Sequence, residues 1–175
     1  MTPHDAQATQ AALPAGVQRV ARALAQRGHA HAPQMLPGAA RTAQQAADAL
    51  GVAVGQIAKS IIFRREPDAR AVLVVTSGDR RVDEAKVAAL VCGPGQHLAR
   101  ADAAFVKAST GFSIGGVAPL AHQTPAVTLI DRELLRFERI WAAAGHPHAV
   151  FMLNTQDLQR LIDAPMADVT LPPAP

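Results

Sequence analysis

Residues 57–77 constrain the fold more than any other part of the chain. "IAKSIIFRR" and "RAVLVVTSG" are both strand-like and are separated by the turn "EPDA". The second segment is apolar at almost every position, where a strand with one wet face would alternate. It therefore predicts a central strand covered on both sides.

The rest of the chain supplies the cover. Val17, Val20, Ala21 and Leu24 recur at helical spacing and predict a helix over Gly16 to Gln26, ended by Gly28. Arg19, Arg22 and Arg27 lie beside that apolar stripe. "HAHAPQMLPGAA" reads as loop or a short strand. Thr42 with Gln45 three residues on forms a capping box for a helix from Ala43 to Leu50, stopped at Gly51. Asp83 caps a short helix with Val87, Leu90 and Val91 on one face, and "ADAAFVKAS" predicts another. Strands follow at "AVTLI", "RIWAAA" and "HAVFML". A last helix begins at Asn154, with Leu158, Leu161 and Ile162 on one face.

This irregular order predicts a mixed α/β (α+β) single domain, not a doubly wound nucleotide fold. The expected organisation is a loose Ala/Gln/Pro tail over 1–14, one domain over 15–165 and a Pro-rich, extended tail over 166–175. The 175 residues suffice for a real core. With 49% hydrophobic and 18% charged residues, a disordered chain is excluded.

Composition also narrows the partners. No apolar run reaches the ~18 residues of a membrane span. "MTPHDAQATQAALPAG" has no basic start followed by an apolar block, so no secretory signal is expected and the cytoplasm is the expected location. The single cysteine, Cys92, excludes an internal disulfide and a cysteine-based zinc site. It reads as a small buried apolar residue rather than a nucleophile. A net charge of +3 permits a phosphate-rich partner. Tyrosine is absent and aromatics make up 3%, too few for a platform of stacked bases, so a nucleic acid would be held through its phosphates or its end.

Few residues remain to carry chemistry. In a strand Ile57, Lys59, Ile61 and Phe63 share one face, while Ala58, Ser60, Ile62 and Arg64 take the other. Lys59 thus lies on the more apolar side. It either snorkels to water from a strand end or is an ammonium held in a partly dry pocket, able to grip a carbonyl oxygen or phosphate. "GGVAP", Gly115 to Pro119, is either a plain turn or a substrate cradle whose bare backbone lets a ligand approach its N–H groups. Pro119 stiffens its exit. His122 is either solvated or able to orient a water. Gly78-Asp79 makes a turn, with Arg80 and Arg81 as surface charge or phosphate contacts. "HPH" at 146–148 reads as loop. There is no GxSxG elbow, triad or metal-ligand cluster, so no metal or cofactor is expected.

In order, "TAQQAADALGVAVGQIAKSIIF" (42–63), "VLVVTSGDRRVDEAKVAAL" (72–90), "STGFSIGGVAPLAH" (109–122) and "TLIDRELLRFERIWAAAGHPHAVFMLNTQDLQRL" (128–161) resemble the blocks of the YbaK/ProX-like aminoacyl-tRNA deacylases. These are free-standing relatives of the editing domain of bacterial prolyl-tRNA synthetase. The resemblance implies a compact mixed β-sheet or partial barrel wrapped by helices. It implies hydrolysis of the ester joining a wrong small amino acid (Ala, Cys, Ser or 2-aminobutyrate) to the acceptor end of a tRNA, often tRNA(Pro). It further implies that the substrate assists the attack, through a terminal ribose hydroxyl or, in cysteine-specific members, a side-chain thiol. Prolyl-tRNA synthetase is an implied partner; membrane and DNA are not.

The family's essential lysine falls on Lys59, and its Gly-x-x-x-Pro loop on Gly115 through Pro119. The implied catalytic set is Lys59, Gly115 and Gly116, with Ser113, Ile114, Val117, Ala118, Pro119, His122 and Asp79 contacting substrate. Some members carry an arginine just before the paired glycines; here Ser113-Ile114 fills that place. The alternative class is a non-catalytic module of the same fold that binds tRNA acceptor ends or a synthetase. A third is a different small-ester hydrolase or small-ligand protein of the same fold that acts without tRNA.

Overall fold

The structure is a computed structural model that describes residues 12–175; the expected N-terminal tail lies mostly outside the described residues. Along the chain come α1 (Ala15–Gln26), β1 (Gln34–Met35), α2 (Ala43–Leu50), β2 (Ile57–Glu66), β3 (Arg70–Ser77), α3 (Glu84–Val91), β4 (His97–Arg100) and α4 (Ala103–Thr110). Then follow β5 (Val127–Asp131), β6 (Ile140–Ala143), β7 (Ala149–Leu153), α5 (Thr155–Ile162) and β8 (Met166–Ala167). Single 3₁₀ turns cover Val54–Gln56 and Arg132–Arg136.

The strands form one mixed sheet in the order β1-β7-β6-β2-β3-β5-β8, with β4 also paired to β2. β3 lies where the sequence placed it. It pairs antiparallel with β2 and parallel with β5, and Val72 to Val75 are at most 1% exposed. Leu73 and Val75 point into the main core beneath α1 and α5, while Val72 and Val74 meet Phe63, Val87 and Val91 on the other side. Each such buried aliphatic contributes about 1.5–3 kcal/mol.

The helices start where local chemistry predicts. Thr42 and Gln45 form the reciprocal capping box, and Gly51 ends α2 in the left-handed region. Asp83 accepts from the N–H groups of Ala85 and Lys86, and Asn154 caps α5 with Asp157. The face expected for α3 is narrower than its sequence implies, since Leu90 is 56% exposed and only Val87 and Val91 pack.

Two parts depart from expectation. Residues 166–170 are not a free tail: β8 pairs with β5, Val169 is fully buried and Thr170 bridges Val82. And β4, polar and unpatterned in sequence, is a strand at all because it completes β2. β6 takes the start of β2 at Ile57 and Ala58, and β4 takes its end from Phe63 to Glu66. Both lie on the edge opposite β3, so residues 59–62 have no strand partner on that edge. The sheet is split there, beside Lys59.

Candidate active site

A cavity of about 260 Å³ opens at the split. Its walls come from the start of α2 (Arg41, Thr42, Ala46), from β2 (Ile57 to Ile61), from β6 and β7 (Trp141, Ala142, Val150) and from Ile114, Gly115 and Val117 of the glycine loop. Lys59 and the glycine loop therefore line one space. The walls are mostly apolar, which suits a small hydrocarbon group with a few polar atoms to fix its orientation.

Lys59 is half-buried, and its Nζ donates to the carbonyl of Arg80 at 2.8 Å. An ammonium has three hydrogens, so two remain for other acceptors. Burial pulls its pKa below the ordinary lysine value; the carboxylates of Asp79 and Asp131 oppose that pull. Next to it, the Ser60 hydroxyl oxygen is buried without a hydrogen-bond partner among the described residues, although Ser60 lines the cavity.

The two glycines have different duties. Gly115 has φ +93° and sits third in a turn closed by the Gly116 N–H on the Ser113 carbonyl at 3.0 Å. A type II turn needs positive φ at that position. Gly116 is required by close approach: a Cβ there would lie 2.8 Å from the Cα of His146. The family resemblance puts both Gly115 and Gly116 in the catalytic set, as backbone donors to a ligand. The Gly116 N–H is committed to the turn instead, whereas those of Gly115 and Val117 have no hydrogen-bond partner among the described residues. Beyond the turn Val117, Ala118 and Leu120 are anchored in the main core, which makes the loop a fixed wall.

Other sequence candidates lie apart from the cavity. Ser113 and Gly116 line an adjoining groove, which also reaches Ile114. Ala118 is fully buried. Pro119 and His122 line a separate depression, where His122 Nε2 bonds the Ala118 carbonyl at 2.7 Å and the ring packs edge-on to Phe112. Burial lowers the His122 pKa, which keeps the ring neutral. Asp79 is held by Arg136 at 2.6 and 3.0 Å and by the Ser77 hydroxyl at 2.9 Å, and these partners lower its pKa to about 2. It is an anchor of the 78–81 turn rather than a lining residue.

Sequence reasoning missed Arg41, Trp141 and His146. In sequence "HPH" reads as plain loop, but the Gly145 turn carries His146 to the cavity. Its Nδ1 accepts the His148 N–H at 3.1 Å. Among the described residues no cluster of His, Cys, Asp or Glu is arranged to hold a metal ion, and no helix is long and apolar enough to cross a membrane.

The comparisons with known proteins agree with this architecture. The uncharacterized protein YwhH of Bacillus subtilis (strain 168) is 36% identical over 119 residues, which is 67% of this chain and 72% of YwhH. The crystal structure of a candidate trans-editing enzyme for prolyl tRNA synthetase superposes with a TM-score of 0.83 at 40% identity, covering 92% of this chain and all of the other. That of the hypothetical protein APE2540 gives 0.80 at 27% identity, covering 87% and 99%. Residues 38–161, which include Lys59, the glycine loop and His146, match the aminoacyl-tRNA editing domain. By that match, this chain belongs to the aminoacyl-tRNA editing domain family.

Proposed function

We propose that the chain is a free-standing deacylase that hydrolyses the ester of a mischarged aminoacyl-tRNA, with tRNA(Pro) carrying a small amino acid as the preferred substrate. One observation carries the reading: a half-buried ammonium that forms no ion pair among the described residues and a rigid glycine loop line the same small apolar cavity. Membership of the editing family and likeness to a candidate trans-editing enzyme for prolyl tRNA synthetase support the choice of substrate.

In this reading the amino acid side chain lies against Ile57, Trp141 and Val150. The two spare hydrogens of Lys59 hold the ester oxygen or the terminal phosphate. The N–H groups of Gly115 and Val117 are the donors available to the carbonyl oxygen as it gains charge. A water, ordered in part by the free ribose hydroxyl, adds to the acyl carbon. The bond to the ribose oxygen then breaks, that oxygen takes a proton, and the amino acid leaves. An activated ester demands less than an amide, so positioning and charge stabilisation suffice without a protein nucleophile. The purpose is a second sieve, because a synthetase pocket separates amino acids differing by one methylene by only ~1–3 kcal/mol.

The test is a deacylation panel. tRNA(Pro), tRNA(Ala), tRNA(Cys) and tRNA(Thr) carrying Ala, Cys, Ser, Thr or 2-aminobutyrate are incubated with the protein. Release from tRNA(Pro) bearing a small residue is the expected result. Release from none of them, with the tRNAs still bound, would point instead to a non-catalytic module.

A further inference from the structure

Beside the Lys59 cavity lies a groove of about 560 Å³, and the two share Arg41, Ile114, His146 and Pro147 along a common rim. Three cations line it: Arg19 from α1, Arg41 just before α2, and Lys107 from the last turn of α4. Among the described residues, no Asp or Glu lines it and none of the three cations joins an ion pair.

The contacts these cations make are to carbonyls. Arg19 Nη2 donates to Thr110 O at 2.9 Å and Lys107 Nζ to Gly111 O at 3.1 Å. Both serve the C-terminal end of α4, where carbonyls lack helical donors. A carbonyl has no formal charge, so among the described residues the positive charge of the groove stays uncompensated. Arg19 is fixed in place, with its guanidinium carbon 4.1 Å from the centre of the Phe112 ring and its Nε buried without a hydrogen-bond partner among the described residues. The first turn of α1 forms another part of the wall, and it has neither a capping side chain nor an acidic residue to offset its positive end. The basic cleft on the other side of Lys59, with Arg81 and Arg100, includes the carboxylate of Glu84.

A groove of one charge that opens onto an ester site selects a polyanion linked to that ester. Of the two rings among its described lining residues, Phe112 is 1% exposed beneath Arg19 and His146 sits on the rim shared with the Lys59 cavity, so the groove itself offers contacts to phosphates rather than a platform for stacked bases. We propose that the groove of Arg19, Arg41 and Lys107 holds the phosphodiester backbone of the single-stranded 3′ end of the tRNA and delivers its terminal ribose to Lys59. This rests on the deacylase reading for the identity of the strand.

The test measures binding without catalysis. A fluorescently labelled single-stranded ribo-oligonucleotide with the tRNA 3′ sequence, and uncharged tRNA, are titrated by anisotropy over a range of salt concentrations. Wild type is compared with Arg41→Ala/Lys107→Ala and with Arg81→Ala/Arg100→Ala; all four residues are exposed, so the fold tolerates the changes. The groove pair should bind about tenfold more weakly in low salt, with the log–log salt slope shallower by about 1.4, since each single-strand phosphate contact contributes ~0.7. The Arg81/Arg100 pair should lose less than about threefold. Wild-type affinity and slope in the groove pair would overturn the proposal, as would a loss confined to Arg81 and Arg100. Groove-dependent binding without deacylation in the panel would sink the deacylase reading and keep the groove; deacylation with groove-independent binding would do the reverse.

Discussion

Two clusters of charge lie side by side in this protein, one saturated and one not. At the end of β3 the charges of Asp79, Arg80, Asp131, Glu133 and Arg136 all have partners. The fully buried Asp131 accepts from Thr76 Oγ1 at 2.9 Å, the Ser77 N–H at 3.0 Å and the Glu133 N–H at 2.9 Å. Asp79 is gripped by both Nη atoms of Arg136, and Arg80 Nε bonds Glu133 at 3.0 Å. Across the turn, Lys59 has a single carbonyl and an apolar cavity. A buried polar group with a full set of bonds rigidifies a scaffold, while an under-used one costs stability that a ligand can return. The saturated cluster fixes the Arg80 carbonyl, and that carbonyl aims the amine.

This contrast can be broken by substitution. Asp131→Ala should remove about 3 kcal/mol of stability, because Thr76 and two backbone N–H groups lose a charged acceptor. Urea unfolding measures it, and a loss below about 1 kcal/mol would mean the cluster is not the scaffold. Gly116→Ala should cost about 2 kcal/mol, since its Cβ meets the His146 backbone, which cannot swing aside as a side chain can. Lys59→Met should behave in the opposite way, leaving stability unchanged or raising it by up to about 1 kcal/mol, because a desolvated charge is exchanged for an apolar chain of similar length. Marked destabilisation by Lys59→Met would make the lysine structural and erase the difference between the clusters.

The smallest effect is on pH dependence. Asp79 has its pKa lowered from 3.8 to about 2, so its contribution is fully present above pH 3.8 and fades as pH falls through about 2. Solvent reaches the pair, so screening limits the contribution to less than about 1 kcal/mol. The stability gap between wild type and Asp79→Asn in urea should narrow from pH 5 to pH 2.5. A constant gap would mean that the charge of Asp79 is not what Arg136 reads.

How much of this was legible depended on whether the signal was local. β3, the Thr42 box and the Asn154 cap follow from adjacent residues, and so do Lys59 and the glycine loop as candidates. The split in the sheet was not legible. It depends on β4, whose His97–Arg100 stretch has no apolar alternation and becomes a strand only through pairing with β2. His146 and Trp141 were hidden for the same reason, since they reach Lys59 only through the parallel pairing of β6 with β2. Asp79 and His122 looked functional because they are polar and close in sequence to the right blocks. Their hydrogen bonds turn one toward Arg136 and the other toward the Ala118 carbonyl.

The most direct test is single-turnover release of labelled alanine from alanyl-tRNA(Pro), comparing wild type with Lys59→Met at saturating protein. A drop of ~10²–10³ in the rate, in a variant as stable as wild type, is the predicted result. A variant that releases alanine at the wild-type rate would contradict the account.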